Sequence, residues 1–78
     1  MANPYSMKEC SLLLEVGINI RRLRNSLGLT QEQTAEAAQI NVTYLSDVER
    51  GKRNISLINL ARIAEAFGIP LSAMFMDS

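Results

Sequence analysis

Apolar residues in this chain recur at spacings of three and four, and nowhere alternate with period two over a useful length. That pattern predicts helices and argues against strands. The first run, Leu13, Val16, Ile20, Leu23 and Leu27, lines one face of a helix over about residues 7–27. Ser6-Met7-Lys8-Glu9 at its start fits a capping box, and Gly28 stands where glycine commonly ends a helix. Thr30 with Gln33 gives a second capping box, for a short helix over 31–38. Asn41 is suited to cap a third helix over 42–49, with Ile40 and Leu45 placed for a hydrophobic staple and Gly51 to stop it. Ser56 caps a fourth over 57–67, in which Leu57, Leu60, Ala61, Ala64 and Phe67 share one broad face, and Gly68 follows. Pro70 suits the first turn of a shorter fifth helix over 70–76, holding Leu71, Met74 and Phe75. The expectation is an all-α fold: five helices in one domain over residues 7–78, with residues 1–6 as a flexible tail. Met1 and Met7 both stand as candidate starts.

Length and composition narrow the classes. A chain of 78 residues allows one domain, and such a chain buries only about 60% of its unfolded surface. With 47% apolar residues it has enough for a core. One cysteine, Cys10, cannot make an internal disulfide. No basic start leads into an apolar signal core, and no apolar run reaches the ~18 residues a membrane span needs, so the expected location is the cytoplasm. Net charge is zero, with eight basic and eight acidic residues, which taken alone argues against a nucleic-acid binder. Distribution matters more than the sum. Six of the eight basic residues fall in two clusters, Arg21, Arg22 and Arg24, then Arg50, Lys52 and Arg53. Clustered cations can hold phosphates on a neutral protein, although the long-range steering field is weak.

Residues 31–50 read QEQTAEAAQINVTYLSDVER: two short helices joined by about three residues. Helices crossing near a right angle need a small side chain at closest approach, which Ala35 supplies. They also need apolar anchors, here Ala38, Ile40, Leu45 and Val48, to fix the second helix on the core. Held so, the second helix can project its N-terminal half into a major groove. From Ile18 to Phe75 the chain resembles the phage repressor and Cro type of helix-turn-helix domain, the lambda-repressor-like fold. The residues that carry the resemblance are Leu27-Gly28-Leu29-Thr30-Gln31-Glu32, Ala35, Tyr44-Leu45-Ser46 and Glu49-Arg50-Gly51. The run from Glu49 through Leu57, ERGKRNISL, further resembles the controller proteins of restriction–modification systems, stand-alone homodimers that regulate their own gene and the nuclease gene. Two positions depart from the family pattern. Gln39 stands where the turn usually has glycine, so it is expected at positive φ at a cost of about 1 kcal/mol. Thr34 replaces a usual apolar residue.

Val42, Thr43, Ser46 and Asp47 lie on the first turns of the candidate reading helix and are the candidate base contacts; the plainer reading is a solvent-facing helix. Thr43 can donate, accept or offer its methyl to thymine, and Val42 can touch a thymine methyl. Many controllers carry arginine where Val42 stands, so a different operator or more shape readout is implied. Asp47 would repel phosphate, which leaves a cytosine contact or solvation. Candidate phosphate contacts are Gln31, Tyr44, Arg50, Lys52, Arg53 and Asn54. For Gln31 the resemblance implies this, and the start of a helix adds free N–H groups. Tyr44 reads equally as a half-buried core tyrosine. The 50–54 run is a basic loop directly after the reading helix, or else an ordinary solvated surface.

The resemblance also implies a partly buried structural salt bridge between Arg24 and Glu49, and a polymerase-contacting acidic patch at Glu32 and Glu36, four apart on one helix face. The plainer reading of that pair is a hydrated face. Ile58, Ile63, Ile69, Leu71, Met74 and Phe75, with Met76, exceed what one small core can hide, and a two-fold dimer is their natural use. The alternative is that they fill the monomer core. An enzyme is the weakest class: histidine is absent, Cys10 has no partner base, and no glycine-rich phosphate loop is present. Neither cofactor nor metal is expected. The reading is a homodimeric, sequence-specific DNA-binding regulator, bacterial or phage, acting on double-stranded DNA at a palindromic operator. A restriction–modification controller comes first, then a Cro-like repressor or an antitoxin autorepressor. A protein–protein adaptor of the same fold is the rival outside DNA binding.

Overall fold

The computed structural model describes residues 3–75. It contains four α-helices: α1 (Met7–Ser26), α2 (Gln31–Ala38), α3 (Val42–Glu49) and α4 (Leu57–Phe67). A 3-10 turn, Leu71–Phe75, follows them. No strand occurs among the described residues, so the all-α class stands. The fifth element differs from the helix read over 70–76. Its bond from Ala73 N to the Pro70 carbonyl, 3.0 Å, is of the i to i+3 kind. The tighter helix commonly serves short pieces of this kind. Residue 76, read as helical and apolar, lies outside the described residues, as do residues 1 and 2 of the expected tail.

Each helix start is fixed by the side chain ahead of it. Ser6 and Thr30 both form reciprocal capping boxes, with Glu9 and Gln33 respectively. Asn41 Oδ1 accepts from the backbone N–H of Thr43 and Tyr44, and Ser56 accepts from that of Asn59. These bonds satisfy donors that a helix N-terminus leaves without partners. Between α2 and α3, Gln39 adopts φ 58° and ψ 45°, the left-handed conformation expected of it. The Ile40 N–H then reaches back 2.9 Å to the Ala35 carbonyl, closing the turn.

The core consists of Val16, Ile20, Ala35, Ala38, Leu45, Val48, Leu60, Ile63, Ala64, Phe67 and Met74. Two of the residues read as dimer contacts, Ile63 and Met74, are fully enclosed here and present nothing to a partner. The reason is rotational. The face of α4 turned inward is Leu60, Ile63, Ala64 and Phe67, whereas Leu57, assigned to that face from the sequence, is 66% exposed. Met74 is carried under the core by the 3-10 turn, where Asn19 Nδ2 donates to its carbonyl at 3.0 Å.

Candidate nucleic-acid interface

Position of the reading helix depends on its buried back. Leu45 and Val48 are sealed in the core, which fixes the roll of α3 about its axis. At its C-terminal end Glu49, also buried, accepts two bonds from Arg24 of α1, Nε to Oε2 at 2.7 Å and Nη2 to Oε1 at 2.9 Å. The paired fork gives direction as well as attraction. Arg24 Nη1 donates a third bond, 2.8 Å, to the Leu29 carbonyl in the connection to α2. The Glu49 carboxylate holds the Arg24 guanidinium above the ordinary arginine range, so its charge persists at every working pH. One residue of α1 that the sequence did not bring forward completes this junction. A side chain at Gly17 would fall well inside contact distance of the Val48 carbonyl oxygen and 2.7 Å from that of Glu49, so only glycine admits this approach of α1 to α3.

Its front is open. Val42 is 37% exposed, Thr43 is exposed, and Ser46 and Asp47 are half-buried. Gln31, at the start of α2, is drawn into the junction: its Nε2 donates to Glu49 Oε1 at 3.1 Å. The second hydrogen of that amide is available to an external acceptor. Asp47 and Arg50 pair with each other at 2.6 Å, three residues apart on the surface. Such exposed pairs are worth little and exchange partners readily. Lys52, Arg53 and Asn54 are exposed beyond α3, where the loop is tacked down by a 2.8 Å bond from the Lys52 N–H to the Asp47 carbonyl.

Tyr44 is half-buried and tied from two sides. The Arg53 guanidinium carbon lies 4.9 Å from its ring centroid, and Asn59 Nδ2 donates to its hydroxyl at 3.3 Å. Both the core reading and the surface reading of this tyrosine thus describe part of it. An open groove lined by Asn41, Thr43, Tyr44, Asp47, Arg53, Asn59 and Arg62 runs beside the front of α3. Asn59 and Arg62 were not among the candidates from sequence. They sit three apart on α4, and their i, i+3 spacing on the polar side of that helix is the signal that could have found them.

Other candidates fall elsewhere. Glu32 and Glu36 are both exposed on α2. Ile58 is 63% and Phe75 49% exposed, while Ile69 and Leu71 are half-buried against the core. No cluster of metal-ligating side chains is present among the described residues. No helix among them is long and apolar enough to cross a membrane.

The chain matches the helix-turn-helix family model over residues 20–74. Control protein C.MunI of a Mycoplasma species is 40% identical over 65 residues, covering 82% of this chain and 88% of the relative. Control protein C.BamHI of Bacillus amyloliquefaciens is 38% identical over 60 residues, covering 76% and 74%. The crystal structure of the restriction–modification controller protein C.AhdI from Aeromonas hydrophila superposes with a TM-score of 0.82 at 37% identity, covering 83% of this chain and 98% of that one. Relatives of this kind are regulators and point to a role other than catalysis. With the family matched over the two helices, the turn between them and the core that orients them, the chain belongs to the helix-turn-helix family of DNA-binding transcriptional regulators.

Proposed function

We propose that the protein is a restriction–modification controller that binds, as a homodimer, a palindromic operator upstream of its own gene, and that it also regulates the endonuclease gene. The observation that carries this is the orientation of α3. Arg24, Glu49 and Gly17 lock its back, while Val42, Thr43, Ser46 and Asp47 remain at its front. In this reading those four approach base edges, and Gln31, Tyr44, Arg50, Lys52, Arg53 and Asn54 hold the flanking phosphates. A valine at the head of the helix offers no bidentate grip on guanine, so specificity draws in part on DNA shape. Similarity to C.MunI, C.BamHI and C.AhdI favours the controller over the Cro-like and antitoxin readings. The protein works in the cytoplasm on double-stranded DNA.

Exposed Ile58 and Phe75, with half-buried Ile69 and Leu71, support a two-fold contact that sets two reading helices about one DNA turn apart. Equilibrium sedimentation checks this: a dimer at micromolar concentration is expected, and monomer alone, even with operator DNA, overturns it. Glu32 and Glu36 form an activating patch for RNA polymerase. Glu32→Gln with Glu36→Gln then keeps operator affinity and loses promoter activation. The central test is a gel shift and footprint on the DNA upstream of the gene. A protected inverted repeat is expected, with methyltransferase and endonuclease genes adjacent. Absence of any shift at physiological salt defeats the DNA-binding reading, and a neighbouring toxin gene would turn it to the antitoxin.

A further inference from the structure

We infer that Asn59 of α4 is a positioning residue for DNA recognition: it directs the hydroxyl proton of Tyr44 outward to a phosphate oxygen. This rests on the DNA-binding reading above. A phenol carries one hydrogen to donate and lone pairs to accept with. The Asn59 amide nitrogen, a donor only, lies 3.3 Å from the Tyr44 oxygen and occupies it as an acceptor. The hydroxyl hydrogen is then left for another partner, and Tyr44 lines the open groove that Thr43, Arg53 and Asn59 share beside the front of α3. An acceptor at this position would reverse the arrangement and draw the proton inward.

Two further contacts make the arrangement stiff enough to matter. Arg53 covers the ring at 4.9 Å, a cation over a π face that limits tilting of the ring. The backbone N–H of Tyr44 is held by Asn41 Oδ1 at 3.1 Å, and that of Asn59 by Ser56 Oγ at 3.0 Å. Both ends of the Asn59–Tyr44 bond therefore start from capped first turns, α3 on one side and α4 on the other. The arrangement links α4, which has no place in the two-helix motif, to the reading surface. It also gives Arg53 two roles at once, as the cation over the ring and as a charge beside the same phosphate path.

A double-mutant cycle tests this with Asn59→Leu, Tyr44→Phe and the pair, each measured for operator affinity by fluorescence anisotropy and for thermal stability. Asn59→Leu should weaken binding about fivefold when the Tyr44 hydroxyl is present, and less than about twofold in the Tyr44→Phe background. Being neutral, it should leave the salt dependence of binding unchanged, unlike removal of a phosphate-binding cation. Equal losses in both backgrounds, or no loss in either, overturn the inference. If Asn59→Leu lowers the melting temperature, Asn59→Ala repeats the cycle, and the coupling must persist. Should the wild-type protein bind no upstream DNA, the regulatory reading falls and this one with it. Should it bind while the cycle shows no coupling, only the role of Asn59 falls.

Discussion

Behind α3, the buried Glu49 carboxylate finds its partners on two other helices; in front of it, the Asp47–Arg50 pair closes within a single turn. Glu49 receives Arg24 from α1 and Gln31 from α2, twenty-five and eighteen residues away in sequence. Asp47, two residues earlier on the other side of the same helix, pairs with Arg50 of the next turn. The first arrangement is over-determined: buried charges leave an uncompensated partner if either is removed. The second is exchangeable, since solvent or a phosphate can replace either member at small cost. A recognition element needs both. Its orientation must be fixed before binding, while the groups that meet DNA must be free to change partners.

Breaking the buried side should produce the largest effect. Arg24→Ala strands the Glu49 carboxylate in the core and should cost about 3–5 kcal/mol in urea denaturation. Arg21→Ala, an exposed arginine three residues earlier, should stay within about 0.5 kcal/mol. Equal effects from the two would mean that the buried pair does not hold α3. Gly17→Ala comes next. Alanine is the better helix former, yet its Cβ meets the carbonyls of Val48 and Glu49, so we expect destabilisation of roughly 1–3 kcal/mol. Greater stability in a thermal melt would contradict that close approach.

Thr34 sharpens the comparison from the opposite direction. It is fully buried, and its hydroxyl has no hydrogen-bond partner among the described residues. Thr34→Val keeps the shape and removes the orphan, so stability should rise by about 1 kcal/mol. At Gln39, glycine would relieve left-handed strain of about 1 kcal/mol and give up a similar amount in chain entropy. A melting temperature that does not fall is expected for Gln39→Gly. The smallest stability change belongs to the front. Lys52→Ala should leave unfolding within about 0.5 kcal/mol while lowering the salt slope of operator binding by about one unit. A large stability loss there, with the slope unchanged, would erase the distinction between the two sides.

Local signals were legible. Ser6, Thr30, Asn41 and Ser56 each cap through bonds to residues two or three positions ahead, so sequence spacing alone specifies them. The positive φ of Gln39 was implied by the resemblance, which has glycine at that position of the turn. The face of α4 was harder to read. Leucine and isoleucine ring the helix through Leu57, Ile58, Leu60 and Ile63, and periodicity does not choose among overlapping apolar arcs. Packing chose Ile63 over Leu57, which moved Ile63 from the expected interface into the core. Likewise Met74 looked like surplus surface until the 3-10 turn carried it inward.

What the sequence by itself determined was the two-helix motif: its caps, its turn, its apolar anchors and the basic loop that follows. These depend on residues within a few positions of one another. The tertiary structure decided which distant side chains serve that motif. Gly17 is in place only because the middle of α1 meets the C-terminal end of α3, and Asn59 meets Tyr44 only because α4 returns beside the reading helix. Spacing could mark Asn59 as a polar-face residue of α4, but neither contact could be read from it, because a contact across fifteen or more residues is fixed by how helices pack and not by the period of any one of them. The reading helix was visible in the chain, and the residues that aim it became visible in the fold.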